Sequence, residues 1–114
     1  MPAECLFCKI IAGQLPATVV YRDEQIVAIR DIHPVAPTHI LLMPTRHLAS
    51  MAEATGSDAG LLGGLQLAAA KVAEQEGLSQ GYRLVTNTGR DGGQTVGHLH
   101  IHLLGGRGLH WPPG

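Results

Sequence analysis

The chain has 114 residues, enough for one compact domain with a real core and too few for two, so a single domain over 1–114 is expected. Apolar residues make up 45% and aromatics 4%, which leaves the core to Leu, Ile, Val and Ala. Eight basic and nine acidic residues give a formal net charge of -1, too weak a field for a nucleic-acid or membrane partner, so any nucleotide bound is small.

Cys5–Ala12 is apolar with short breaks and stops at Gly13, which predicts a short amphipathic helix. Thr18–Tyr21 and Ile26–Arg30 are rich in β-branched and apolar residues and predict two strands, joined by a hairpin turn over Arg22–Gln25. Pro34 and Pro37 force an extended loop, and the apolar run His39–Met43, ended by Pro44, predicts a third strand. From Ser57 to Glu76, Leu61, Leu65, Ala68 and Val72 recur at helical spacing, with Ser57 to cap the helix and Gly77 to end it. Tyr82–Thr86 predicts a fourth strand, Gly89–Thr95 a glycine-rich loop and His98–Leu104 a fifth strand. Hairpin-joined strands with helices between pairs of them imply an antiparallel α+β domain. Met1–Lys9 shows no basic stretch leading into a long apolar run, and no segment reaches the roughly 18 apolar residues of a membrane helix, so a cytoplasmic location is expected.

Seven histidines are present, three of them in five residues. His98-Leu99-His100-Ile101-His102-Leu103 alternates histidine with aliphatic residues, and a strand sends alternate side chains to opposite faces. At about 3.3 Å of rise per residue, His98 and His102 would stand about 13 Å apart, too far for one metal ion to take all three. The histidines must divide their tasks. A neutral imidazole is a competent nucleophile toward phosphorus, its pKa of about 6.5 leaving it largely deprotonated near neutral pH. His100 is central, with His102 one step along the face to hold a phosphate oxygen and strand backbone available to fix the His100 tautomer. A solvated sheet face, or a metal-binding strand without catalysis, is the other reading of the same pattern. The loop Gly89-Arg90-Asp91-Gly92-Gly93-Gln94-Thr95 favours the first, because its amides and the Thr95 hydroxyl can approach a phosphate without obstruction.

These residues resemble the histidine-triad nucleotide-binding family, whose signature of alternating histidines and hydrophobics stands here as His98–Leu104. The likeness runs nearly end to end. Asp31–His39 resembles the family's ribose-binding strand end and loop, and Asn87 with Gly92-Gly93-Gln94-Thr95 its phosphate-binding segment. The tail His110-Trp111-Pro112-Pro113-Gly114 resembles the Hint branch. The resemblance implies a fold with a five-stranded antiparallel sheet and two helices, with two sheets joined across a homodimer. It implies hydrolysis of the phosphorus–nitrogen bond of purine nucleoside 5′-phosphoramidates, AMP or GMP amines, with His100 as nucleophile. His102 and Asn87 would hold phosphate beside Gly93 and Gln94, Thr95 would hydrogen-bond near the leaving group, and His39 would support His100. Asp31 would accept from the ribose hydroxyls. Phe7, Ile10 and Ile32 would form an apolar slot for the base, their plainer reading being core, and Trp111 would reach the partner's substrate. Thr95 stands where many relatives have serine, and Gly97 where a bulkier residue is common.

Cys5-x-x-Cys8 has the spacing of half a zinc site, and His98 is free to add a ligand. The resemblance implies that His47 and His98 complete a structural zinc centre with the cysteine pair. Redox chemistry and plain buried thiols are the alternatives, though a redox pair is expected after a strand of a βαβ unit. Competing functions are cleavage of dinucleoside polyphosphates, against which the tail argues, and nucleotide or partner binding without catalysis.

Overall fold

The computed structural model describes residues 4–114. Its first helix, α1 (Leu6–Ile11), starts at Cys5, whose sulfur accepts from the Cys8 amide at 3.3 Å. Gly13, at φ 78, lets the chain leave the helix while the Gln14 amide turns back onto the Lys9 carbonyl at 2.8 Å.

The strands are β1 (Val19–Arg22), β2 (Ile26–Arg30), β3 (Thr38–Pro44), β4 (Tyr82–Val85) and β5 (Ile101–Gly105). They form one antiparallel sheet in the order β1-β2-β3-β5-β4, which with α1 and the long helix α2 (Ala59–Gln75) gives the expected α+β architecture. Asp23 makes the first hairpin turn, its Oδ1 accepting from the Gln25 and Ile26 amides at 2.8 and 2.9 Å.

The pleat assigns the two faces. Ala28, Ile40, Leu42, Ile101 and Leu103 point toward α2 and pack with Leu65, Ala68, Ala69, Val72 and Ala73. Val27, Ile29, Leu41 and Met43 point the other way and pack with Phe7 of α1. His39 is on this second face of β3, and His102, paired in register with Leu41, is on the same face of β5. A core of aliphatic side chains thus holds the histidines on the side that α1 partly covers.

Two element boundaries differ from the sequence expectation by more than one residue. The Thr55 amide donates to Asp58 Oδ2 at 2.8 Å and the Asp58 amide to the Thr55 carbonyl at 2.9 Å, which closes Gly56–Asp58 as a 3-10 turn. The helix therefore starts at Ala59, and Ser57 does not cap it; its hydroxyl pairs with that of Thr55 at 2.8 Å. The fifth strand starts at Ile101 instead of His98. Pairing of β3 with β5 ends at Leu42↔Ile101, and Met43 and Pro44 pair with β2 alone. The His98 ring bonds the Pro44 carbonyl at 2.9 Å, and the Leu99 amide bonds the Leu48 carbonyl at 2.6 Å. Side-chain and loop contacts thus replace the ladder over 98–100. Among the described residues no helix is long and apolar enough to cross a membrane.

Candidate active site and metal centre

His100 is buried immediately before β5, and its Nδ1 lies 2.7 Å from the His98 carbonyl oxygen. A carbonyl only accepts, so Nδ1 carries the proton, and in the neutral ring Nε2 holds the lone pair. Phe7 stands edge-on to the His100 ring at 5.0 Å between centroids, and the His102 ring lies 5.0 Å away. The backbone and a fixed aromatic wall leave the ring little rotational freedom.

His102 is oriented by a chain of donors. The Val35 amide donates to His39 Nδ1 at 3.2 Å, which places the proton of the neutral His39 ring on Nε2. That nitrogen lies 2.9 Å from His102 Nδ1 and 3.4 Å from Asp31 Oδ2. His102 Nδ1 is then an acceptor, and its proton is on Nε2. Burial pushes the His102 pKa down to about 4, helped by its histidine neighbours, and burial also lowers His39 against the attraction of Asp31. Both rings are neutral near neutral pH, as the donor chain requires. Asp31 is itself placed at the end of β2 by its Oδ1, which accepts from the His33 amide at 2.7 Å. Asp31, His39 and His102 bring their ligand-type atoms within 4.8 Å of one another, but the hydrogen-bond directions commit those atoms to each other.

A second cluster occupies the other side of His98. Cys5, Cys8, His47 and His98 bring their ligand atoms within 4.8 Å of one another, a set that could hold a metal ion. His98 Nδ1 lies 3.3 Å from Cys5 Sγ, 3.6 Å from Cys8 Sγ and 3.1 Å from His47 Nδ1, and His47 Nδ1 lies 3.3 Å from Cys8 Sγ. The His98 Nε2–H donates to the Pro44 carbonyl, so Nδ1 presents its lone pair to the cluster. Burial, with the adjoining Cys5 sulfur, pushes the Cys8 thiol up to about 11. Both cysteines are free of disulfide bonds.

The glycine loop is held from within. Gln94 donates from Nε2 to the Ala49 and Val96 carbonyls at 2.7 and 3.0 Å, and its Oε1 accepts from the Gly89 amide at 3.0 Å. Its own amide bonds the Gly89 carbonyl at 3.0 Å, so Gln94 is spent on shaping the loop. Gly93, at φ 81, likewise donates its amide to Arg90. Asn87 is half-buried just past β4, and Thr95 is exposed at the loop's end. Ile10 packs at the margin of the Phe7 cluster, whereas Ile32 is 84% exposed beside Asp31 and does not belong to the core. Trp111, in the tail, is 82% exposed.

Three contributors carry no sequence signal, because they act through backbone atoms. The Val35 amide fixes the His39 tautomer, the Pro44 carbonyl orients His98, and the Ala49 carbonyl anchors Gln94. Arg107 reinforces the first by donating to the Val35 carbonyl at 2.9 Å.

The chain is similar to known proteins over most of its length. The family described as HIT domain matches residues 12–109. The maize "14 kDa zinc-binding protein" is 51% identical over 111 residues, covering 96% of this chain and 87% of that protein. The crystal structure of a HIT family hydrolase from Legionella pneumophila superposes with a TM-score of 0.96 at 52% identity, covering 97% of this chain and 100% of that one. A histidine triad nucleotide-binding protein from Candida albicans superposes with a TM-score of 0.82 at 29% identity, covering 96% of this chain and 83% of that one.

Proposed function

The chain belongs to the HIT family, and from that premise we propose that it hydrolyses the phosphorus–nitrogen bond of purine nucleoside 5′-phosphoramidates through a nucleotidyl-His100 intermediate. The observation that carries this reading is the bond from His100 Nδ1 to the His98 carbonyl, which leaves Nε2 as the lone-pair nitrogen beside the His102 ring. The naming of similar proteins as a HIT family hydrolase and a histidine triad nucleotide-binding protein supports it.

In this mechanism His100 Nε2 attacks the α-phosphorus, the P–N bond breaks, and the amine takes up a proton from solvent water as it leaves. Water then cleaves the phosphohistidine, freeing the nucleoside monophosphate and restoring the neutral ring. His102 serves as a hydrogen-bond donor from Nε2 to a phosphate oxygen, since a pKa of about 4 keeps it from acting as a cation at neutral pH. His39 keeps His102 in that tautomer. Asn87 adds a second polar contact to the phosphate, Thr95 hydrogen-bonds near the leaving amine, and Gly93 with Gln94 gives the loop its shape. Asp31 accepts from the ribose hydroxyls, and the exposed Ile32 covers the base with Ile10 and Phe7 behind it. Trp111 completes the site of a second copy in a homodimer.

Cys5, Cys8, His47 and His98 would hold a structural zinc ion. Four of the separations between ligand atoms, 3.1 to 3.6 Å, are edges of a tetrahedron whose centre lies about 2.0 Å from each corner, close to the Zn–N length of about 2.0–2.1 Å and somewhat short of the Zn–S length of about 2.3 Å. Four protein ligands leave no position for substrate, so the zinc would pin α1 to the sheet. Metal analysis of the native protein and of Cys8→Ser tests this, and native protein without zinc refutes it.

The deciding experiment incubates protein with adenosine 5′-phosphoramidate, quenches in alkali and locates the adducted residue by mass spectrometry. An AMP adduct on His100, absent in His100→Gly, supports the mechanism. Unchanged turnover in His100→Gly overturns it, and faster cleavage of dinucleoside polyphosphates would move the substrate class.

A further inference from the structure

His98 belongs to two sites at once. Its ring meets Cys5, Cys8 and His47, and its carbonyl accepts the proton of His100 Nδ1 at 2.7 Å. The segment between ring and carbonyl has little freedom. His98 is 0% exposed and Leu99 1%, the ring's second nitrogen is tied to Pro44 at 2.9 Å, and the Leu99 amide to Leu48 at 2.6 Å. Helix α1 supplies the two thiols, and between them in sequence Phe7 stands edge-on to the His98 ring at 5.9 Å and to the His100 ring at 5.0 Å. Of the two restraints on His100, the backbone carbonyl belongs to a residue of the metal cluster, and the aromatic wall to Phe7, which lies between the cluster's two cysteines in sequence.

We propose that His98 is a positioning residue: a metal ion bound with Cys5, Cys8 and His47 fixes its ring, and so holds its carbonyl and the Phe7 wall where they set the tautomer and aim of His100. The metal centre then governs catalysis without touching substrate. No regular ladder holds His98–His100, since β5 begins at Ile101, so the cluster adds to the Pro44 and Leu48 contacts as a further anchor of this segment. Removal of the ion would leave Cys5, Cys8, His47 and His98 without a common centre, and the His98 carbonyl would keep only the Pro44 and Leu48 restraints. Outer contacts of this kind change activity by about 10–100-fold in metal sites.

The proposal rests on the reading of His100 as nucleophile, and the test separates the two. Full-length protein with 15N-labelled histidine is compared in zinc-loaded, chelator-stripped and cadmium-substituted states, using long-range proton–nitrogen spectra of the imidazoles. Amide spectra report whether the fold persists, and turnover of adenosine 5′-phosphoramidate is measured in parallel. In the zinc state His100 is expected as one tautomer protonated at Nδ1. On stripping, His100 should become a mixture of tautomers while His39 and His102 keep theirs, and kcat should fall about tenfold or more with little change in KM. Cadmium, with longer bonds, should shift the His100 resonances and give an intermediate rate. An unchanged His100 pattern in all three states overturns the proposal. If stripping unfolds the chain, identical His100 patterns with zinc and cadmium overturn it equally. A metal-dependent pattern in protein that turns over no substrate would uphold the coupling and refute the nucleophile.

Discussion

His39 Nε2 stands 2.9 Å from His102 Nδ1, on the diagonal between neighbouring strands, where His39 is in register with Leu104 and His102 with Leu41. The direction of this bond is set from outside the pair, by the Val35 amide on the far nitrogen of His39. One backbone N–H thereby decides which nitrogen of His102 faces outward with a proton.

His39→Ala should therefore act on His102 as well as on stability. It removes the donor that holds His102 Nδ1 and leaves the Val35 amide without its acceptor. In analogy with other orienting partners, turnover of a phosphoramidate should fall by about 10–100-fold. Most of the loss should be in kcat, because ribose and base contacts lie elsewhere. Steady-state kinetics on the variant check this, and a change confined to KM would contradict the relay.

Stability should depend on pH through the same pair. Unfolded histidines titrate near about 6.5, while in the folded chain burial takes His102 to about 4 and lowers His39. Between these values the unfolded state binds more protons than the folded one, so the stability of the fold rises with pH across the window and is lost as pH falls through it. For His102 alone the loss by pH 4 is on the order of 2 to 3 kcal/mol. Urea titrations at pH 7 and pH 4.5 measure it, and His102→Asn should flatten part of the slope.

Gly92 has no room for a side chain. A Cβ at this position would meet the backbone of Thr88, with its nitrogen at 2.9 Å and its carbonyl oxygen closer still. Backbone cannot swing aside as a side-chain tip can, so Gly92→Ala must open the loop that Gln94 closes. Destabilisation of about 1–3 kcal/mol is expected, with weaker capture of the nucleotide phosphate. Thermal unfolding and AMP titration test the two effects. An alanine variant with native stability and affinity would show that the loop has no part in binding.

That His98 and His102 fall in different side-chain clusters is legible in the sequence from their separation, although the rise per residue assumes a strand over 98–100 that the structure does not form. The sheet and both helices are legible too, from periodicity and from the glycines at 13 and 77, which take the positive φ of helix-ending glycines. The start of β5 is not, since nothing in His98-Leu99-His100 differs from a paired strand; the ladder stops because the end of β3 pairs with β2 alone, a tertiary fact. Gln94 is similarly hidden. Its place in a glycine loop suggests ligand contact, whereas its amide groups bond within the protein, to Ala49, Val96 and Gly89. Ile32, which the resemblance places in an apolar slot for the base and whose plainer reading is core, is 84% exposed, and so the core reading falls.

Trp111 gives the cleanest separation of stability from function. The base of its tail is held by Arg83, which donates to the His110 carbonyl at 2.7 Å, and the indole beyond is 82% exposed. A side chain with so little buried surface contributes little to the monomer's fold, so Trp111→Ala should change unfolding free energy by no more than about 0.5 kcal/mol. If the tail completes the site of a second copy, the same variant should raise KM for a phosphoramidate several-fold in protein that sediments as a dimer. Arg83→Ala, which frees the base of the tail, should reproduce part of that rise. Equal KM values for wild-type and both variants would confine the substrate contacts to a single chain.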